Sequence, residues 1–448
     1  MVTIDVEQRG VKASDRLEVF DRLMDAAGEI MCGGLKRLLN AELDAEVTGG
    51  LGRGWRELRE QSGERDAPWS CHRCGNQKAK AMGRDGHYSR SLQTLSGGLV
   101  GVQVPMLECQ VCGASVDIEF AALPKHKHLW LDVDEEILFS YGADEALRHI
   151  AERVGKQLGW PVSPSSVQRR VHALAGALEQ WRGRRWEVVP DVLMIDGIWF
   201  TLMEPTEERY MDRSGRQRPR QRKVKRVAIV VLGLWSQTGE KEILDFTISA
   251  GEDEDTVLEL LNGLHLRGIT EEHVKLITSD GAGGIIAAIE TAYPTVARQR
   301  CVFHKLKNVG DNLRDTTHRK ETLNAAASIY EATTQQEAER RLEQFAAAWE
   351  LKEPVAVASL RIDFRASLAY LRPLGIEQPQ RFRTTNALEG GVQRRLRIKL
   401  DKATAFHSPF GAEAALFLAA LRINTHERGA PWVYEAHQLI KTIPCRNP

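Results

Sequence analysis

Three acidic residues stand where metal-assisted chemistry would need them. Asp196 lies inside a β-branched and apolar run, Val192 to Met203, where an unpaired charge is costly and needs a partner such as a metal ion. Asp280 follows a second buried-looking run, Val274 to Thr278, and Glu389 opens a later helix after Thr384-Thr385-Asn386. Two aspartates at strands and one glutamate on a helix are hard oxygen donors, the kind magnesium takes while keeping several waters. Two such ions can flank a phosphodiester, one activating the attacking water or 3′-hydroxyl and the other stabilising the leaving oxygen. Asp196-Gly197 and Asp280-Gly281 also read as plain turns; for Asp196 the apolar strand around it weakens that reading.

Sulfur forms a second constellation. The seven cysteines are Cys32, Cys71, Cys74, Cys109, Cys112, Cys301 and Cys445. An odd count in a chain whose N-terminus lacks a secretory layout argues against a disulfide framework. Cys71-His-Arg-Cys74-Gly and Cys109-Gln-Val-Cys112-Gly each place two thiolates on a tight turn, with glycine admitting a left-handed residue. Two such knuckles make a closed, structural Zn2+ site of four sulfurs. The 34 residues between Cys74 and Cys109 exceed the usual ribbon spacing, and a longer hairpin accommodates them. Lys78, Lys80, Arg84 and Arg90 favour DNA as this module's contact. Cys301 and His304, three apart, read as packing, as half a zinc site, or as an acyl-transfer pair lacking the rest of its machinery.

The formal net charge is zero, yet phosphate affinity depends on local clusters rather than on the sum. Arg213 to Arg226 reads RSGRQRPRQRKVKR and Arg394 to Lys402 reads RRLRIKLDK. Either run could be a solvated face. As phosphate grips, their candidates are Arg220, Arg222 and Lys223 in the first and Arg394, Arg395 and Lys399 in the second.

The elements that must hold these residues follow from periodicity. Leu17, Phe20, Leu23, Met24, Ala27 and Ile30 are helically spaced, giving an N-terminal helical segment, 1–50. Residues 66–125 are the zinc ribbon, with Gly97-Gly98 as its turn. In 135–187 a helix from Asp144 to Leu158, a break at Gly159-Trp160-Pro161, and a helix capped by Ser163 with Pro164 first make a helix-turn-helix. Gln168, Arg169 and Arg170 near the second helix's start would read the major groove; the plain alternative is a hairpin linking domains. Residues 188–303 read as three meandering strands (Val192–Met203, Val224–Leu234, Glu242–Ile248) with a basic loop between the first two, then helix, strand, helix and strand. That is the ribonuclease-H order, in which the first and fourth strands are neighbours. Residues 304–380 are almost wholly helical, with Trp349 among alanines as core, and 381–448 supply the final helices and tail. The expected fold is therefore α/β, a ribonuclease-H-like mixed sheet with an all-α insertion, preceded by helices, a zinc ribbon and a helix-turn-helix. No run of eighteen apolar residues appears, so no membrane span is expected.

From Asp191 to about Arg422 the chain resembles the catalytic region of Mutator-like transposases. Asp196-Gly197-Ile198-Trp199, Thr278-Ser279-Asp280-Gly281, Gln299-Arg300-Cys301-Val302-Phe303-His304 and Arg383-Thr384-Thr385-Asn386-Ala387-Leu388-Glu389 carry the likeness, in that order. Separations of 84 residues from Asp196 to Asp280 and 109 from Asp280 to Glu389 suit an inserted helical domain. More weakly, Leu39-Asn40-Ala41-Glu42-Leu43 resembles the family's N-terminus. The resemblance implies DNA transposition, with Asp196, Asp280 and Glu389 as ligands of two Mg2+ (or Mn2+) ions and Cys301 and His304 supporting the site. It also implies that Trp349 could stack on a flipped base. Double-stranded DNA, at element ends and target, would be the partner. Two ends must be held, so a homodimer or larger assembly is expected, in the cytoplasm at the nucleoid. A structure-selective nuclease and a DNA-binding regulator derived from a transposase are the rival functions. One departure is Gly390-Gly391 after the glutamate: two glycines early in a helix cost about 1 kcal/mol each against alanine, so that helix should start later or bend.

Overall fold

The computed structural model describes residues 13–440 apart from 96, 122, 124, 126, 127, 403–405 and 407, and side chains from residue 27 onward except those of 99, 100 and 402. Cys445, residues 1–12 and residues 441–448 lie outside the described residues. The chain divides into two units, one of residues 1–140, 147–173 and 437–448 and one of 141–146 and 174–436.

In the first unit, helical spacing yields one long helix, α1 (Ala13–Leu51). Its Leu39, Leu43, Val47 and Leu51, four apart, form a buried stripe against Met82, Leu92, Val102, Val104 and Leu107 of a ribbon. That ribbon is β1 (Met82–Thr94) and β2 (Gly97–Cys109), antiparallel, with the short β3 (Ser115–Val116) beside β2. Then come α2 (Leu131–Gly142), α3 (Leu147–Leu158) and α4 (Pro164–His172). The helix expected from Asp144 starts only at Leu147, because Asp144 takes a φ of 69°, outside the helical region. Ser163 caps α4 as its type suggests: its hydroxyl accepts from the Ser166 N–H at 3.1 Å.

The second unit opens with α5 (Ala175–Arg182), whose Trp181 packs on Phe246 and Phe417. The helical region read as one piece is thus shared between the two units. A five-stranded sheet follows: β4 (Val192–Met211), β5 (Gln217–Leu234), β6 (Lys241–Ser249), β7 (Leu276–Ser279) and β8 (Ala297–Arg300), ordered β6-β5-β4-β7-β8. The first three meander antiparallel; β7 and β8 join parallel, through α6 (Glu254–Leu266) and α7 (Gly283–Ala292), so the sheet is mixed. Leu193, Ile195, Val227, Ile229 and Val231 bury one sheet face under Val257, Leu261, Leu264, Ile285 and Ile289 of those helices.

Beyond the sheet, β4 and β5 continue as a two-stranded arm. They stay paired from Val192↔Leu234 to Met211↔Gln217, whereas β6 accompanies β5 only from Leu234 to Val227. The stretch read as a basic loop is therefore largely strand, because its alternating side chains pair across to Thr201–Met211.

The insertion comprises α8 (Val302–Asp311), α9 (Arg319–Ile329), α10 (Gln335–Trp349) and α11 (Pro354–Arg361), packed around Tyr330, Phe345, Trp349 and Phe364. Trp349 is buried in that core. The chain then re-enters the sheet unit through a π-helical turn, Ala387–Gln393, that runs into α12 (Arg394–Lys402), followed by α13 (Pro409–Glu427) and α14 (Trp432–Leu439). Asn424 of α13 covers the β6 edge, accepting from the Ile243 N–H at 2.8 Å and donating to its carbonyl at 3.0 Å. An edge strand occupied in this way cannot pair with another chain.

Candidate active site

Parallel pairing sets the first two carboxylates. Ile195 lies opposite Ser279, so the next residues, Asp196 and Asp280, emerge side by side from β4 and β7. Each is oriented by its own backbone: Asp196 Oδ1 accepts from the Gly197 N–H at 2.8 Å, and Asp280 Oδ1 from the Ala282 N–H at 3.0 Å. Asp196 is 6% exposed. Burial pushes its carboxyl up to about 7, against the charge of His304 and with that of Asp280 and Glu389. A carboxylate so placed is stable as an anion only beside a cation.

The third carboxylate arrives by a set of ties. Thr278 donates to the Phe382 carbonyl at 2.8 Å, and the Val302 N–H to the Arg383 carbonyl at 2.9 Å. Gln299 donates to Ser367 O at 2.9 Å and accepts from the Tyr370 N–H at 3.0 Å, which fixes β8 to the end of the insertion. Thr385, anchored on Cys301 Sγ at 3.3 Å, donates to the Glu389 carboxylate. His304 Nδ1 lies 3.8 Å from Glu389 Oε1, too far for a hydrogen bond, and is buried without a hydrogen-bond partner. The Cys301 sulfur, together with Asp196 and Glu389, holds the His304 imidazole up at about 9 in spite of its burial. Burial pushes the Cys301 thiol up, but the neighbouring His304 imidazole and the hydrogen bonding of Thr385 outweigh it and the net shift is downward. Donor atoms of Cys301, His304 and Glu389 lie within 4.8 Å of one another.

Sequence reasoning missed Glu252. Its carboxylate approaches from the turn before α6: a Cβ on Gly197 would stand 2.3 Å from Glu252 Oε1, and one on Gly284 would stand 2.1 Å from the Glu252 carbonyl. Burial and the Asp280 charge raise its pKa. The available signal was the two glycines, both of which make room for this residue.

The zinc expectation meets suitable geometry. Cys71 and Cys112 sulfurs are 3.5 Å apart, Cys74 and Cys109 sulfurs 3.6 Å, and all four lie within 4.8 Å. Both knuckles close alike, Gly75 N–H on Cys71 O and Gly113 N–H on Cys109 O at 2.8 Å, with φ of 70° and 69° at the glycines. The Cys74 N–H brings the Cys71 thiol down to about 6. Four sulfurs at this spacing fit a tetrahedral Zn2+.

The basic candidates separate. Arg169 is exposed, its guanidinium 3.1 Å from Ser166 Oγ, and Gln168 faces His172. Arg170 is instead turned inward, its Nε 3.1 Å from the buried Asp134. Lys399 is buried, its ammonium on the Tyr141 carbonyl and over that ring. Helical phase explains this: Leu396, Lys399 and Leu400 share the buried side of α12, so a run that reads as uniformly basic presents only part of itself. Arg395 pairs with Glu427 at 3.3 Å and Arg220 with Glu208 at 3.5 Å. Arg222 and Lys223 are exposed, with no ion pair among the described residues. Arg394 is exposed and, with Arg397, Ile398, Asp401 and Glu389, lines an open cleft of about 590 Å³.

The family model described as "Transposase, Mutator family" matches residues 60–428. The transposase for insertion sequence element IST2 of Acidithiobacillus ferrooxidans is 35% identical over 161 residues, 36% of this chain and 53% of that protein. That for IS1201 of Lactobacillus helveticus is 24% identical over 267 residues, 60% of this chain and 65% of that protein. The transposase for IS406 of Burkholderia multivorans is 26% identical over 327 residues, 72% and 77% of the two chains. The chain thus spans 53% and 65% of the length of the first two relatives. Among solved structures, the Drosophila P element transposase strand transfer complex matches with a TM-score of 0.27 and 12% identity, over 70% of this chain and 83% of that one. With the family model running through the ribbon, the sheet and the glutamate alike, the chain belongs to the Mutator family of transposases.

Proposed function

We propose that this protein is a DDE transposase of ribonuclease-H-like fold that binds the ends of its own mobile element, cleaves DNA and joins the ends to a target. The observation that carries this is the buried Asp196, paired across β4 and β7 with Asp280 and facing Glu389 and His304. Asp196, Asp280 and Glu389 would hold Mg2+, which supplies charge neutralisation on both sides of the scissile phosphate. The chain's own residues do the positioning, which phosphoryl transfer needs more than covalent help. The backbone N–H groups of Gly197 and Ala282 aim one oxygen of each aspartate, leaving the others for ligation. Thr385 holds Glu389, and Cys301 holds Thr385. His304, protonated at neutral pH, balances carboxylate charge from within. Arg394 and Arg397, beside Glu389, are placed to meet phosphates.

In this reading the four-cysteine ribbon carries structural Zn2+, and Gln168 and Arg169 contact bases. The protein works as a homodimer or larger assembly in the cytoplasm at the nucleoid. Among the described residues, no helix is long and apolar enough to cross a membrane. The test is incubation of the protein with element-end duplex and Mg2+, comparing wild type with Asp280→Ala. Cleavage and strand transfer by wild type alone are expected. Equal products from both would remove the carboxylates from the reaction.

A further inference from the structure

The β4–β5 arm has two faces of different electrostatic character. Side chains alternate across a strand, and the register Phe200↔Arg226, Leu202↔Val224 and Glu204↔Arg222 fixes which belong together. On that face arginines meet acids: Arg226 pairs with Glu204, Arg220 with Glu208 at 3.5 Å, and Arg218 with Asp212 at 2.6 Å. The other face is built from Trp199↔Val227, Thr201↔Lys225, Met203↔Lys223 and, past the irregularity after Pro205, Arg209↔Pro219. Lys223, Lys225 and Arg209 are exposed there with no ion-pair partner among the described residues, and no acid occupies a registered position between Trp199 and Pro205 on this face. Trp199 is 47% exposed although it sits on a strand whose neighbours are buried. This face is the one to which Gly197 belongs, so the strip begins two residues from the position where Glu252 abuts the strand, with Asp196 on the strand's other side.

We propose that this face of the arm is a DNA-binding track running toward Glu252, at the edge of the carboxylate site. Lys225, Lys223 and Arg209 grip successive backbone phosphates, and Trp199 stacks on an exposed base at the mouth of the site. The paired arginines of the other face, Arg218, Arg220 and Arg226, play no part in binding; Arg222, which shares that face without an ion pair among the described residues, is not one of them. A paired arginine brings no net charge, and the adjacent glutamate repels phosphate; an unpaired lysine releases a counterion when phosphate binds. A flat aromatic side chain accepts any base by stacking. This inference rests on the transposase reading, whose only demand here is that DNA binds.

The experiment measures affinity of the full-length protein for a fluorescent element-end duplex, blunt and with a short single-stranded end, across a range of salt. Each phosphate contact contributes about 0.9 to the slope of log affinity against log salt. Lys223→Ala/Lys225→Ala should therefore flatten the slope by about 2, with Arg218→Ala/Arg220→Ala unchanged from wild type. Trp199→Ala should lower affinity for the single-stranded-end duplex about tenfold with the slope preserved. These residues are exposed, and thermal melting checks that each variant folds as wild type. Wild-type slopes in the lysine variant, or a flattened slope in the arginine variant, would overturn the face assignment while leaving the transposase reading standing. Failure of wild type to bind DNA at any salt would instead sink the reading on which it rests.

Discussion

Replacing Asp196 with asparagine should make the magnesium-free protein more stable, and increasingly so as pH rises. Burial lifts the Asp196 carboxyl from its ordinary 3.8 to about 7. A group whose folded pKa is raised stabilises the fold most below its unfolded pKa, and that contribution is lost as pH climbs through the folded value. From 3.8 to about 7 the loss amounts to roughly 4 kcal/mol at 1.36 kcal/mol per pH unit, an upper bound. At pH 5 roughly 1.5 kcal/mol of it is already gone, and at pH 8 all of it. Asparagine carries no charge at either pH, so fixed costs of the substitution cancel between them. The advantage of Asp196→Asn over wild type should grow by roughly 2.5 kcal/mol from pH 5 to pH 8. At roughly 2–4 °C per kcal/mol for a large domain, that is about 5–10 °C in melting temperature. The assay is calorimetry in magnesium-free buffer without chelator, so that zinc stays bound. Added Mg2+ should raise the wild-type melting temperature at pH 8 and leave the variant's alone. A difference that stays constant between the two pH values would refute the buried-charge argument.

Other substitutions separate the roles assigned above. Glu252→Gln should raise the Mg2+ concentration for half-maximal cleavage about tenfold, as loss of a residue beside metal ligands does; an unchanged Mg2+ requirement would leave Glu252 outside the site. Arg169→Ala should relax discrimination between end and random duplex with melting unchanged, whereas Arg170→Ala should cost about 3 kcal/mol of stability by taking the arginine from buried Asp134. Cys74→Ser should drop zinc content measured by mass spectrometry from one ion per chain to none and loosen the first unit's melting; one zinc retained would contradict the four-sulfur site. Gly391→Ala meets open space apart from Lys241 Nζ at 3.8 Å, so it should stabilise the helix by about 1 kcal/mol and lower turnover.

Sequence made Asp196 and Asp280 legible because strand position and neighbouring motif agree in both, and parallel pairing of β4 with β7 then does what the strand order predicts. The cysteine knuckles were equally readable, since a local turn dictates each half. What was hidden depended on three-dimensional approach. Glu252 sits in an unpatterned turn, and only the fit of its carboxylate against Gly197 and its carbonyl against Gly284 reveals it. The basic runs misled because charge was counted without phase. Alternation along β5 hands three of the eight basic residues of the first run to nearby acids, and the buried stripe of α12 takes Lys399 out of the second. Asp144 delayed the helix it seemed to open until Leu147, by a left-handed φ that aspartate tolerates better than most.

Gly390-Gly391 looked like a defect in the helix that carries Glu389, and the backbone answers it with a π-helical turn rather than a break. Such turns cost stability and gather at functional sites. The N–H groups of Leu388 and Glu389 both fall on the Thr385 carbonyl, each at 2.8 Å, while the Thr385 hydroxyl takes the Glu389 carboxylate. One residue therefore holds both the backbone and the side chain of the glutamate. Thr385 itself hangs on Cys301, and the Cys301 N–H on the Ser279 carbonyl at 2.8 Å, one residue before Asp280. The third carboxylate is thus tied to the second through a threonine and a cysteine, across an insertion of several helices. The wide turn lets Glu389 be directed by that tie rather than by regular helical winding, and glycine is the residue least opposed to such a backbone. Cys301 and His304 then have a common purpose. On the proposed reading, the cysteine positions Glu389 through Thr385, and the charge of His304 offsets that of Asp196 and Glu389 where Mg2+ would bind.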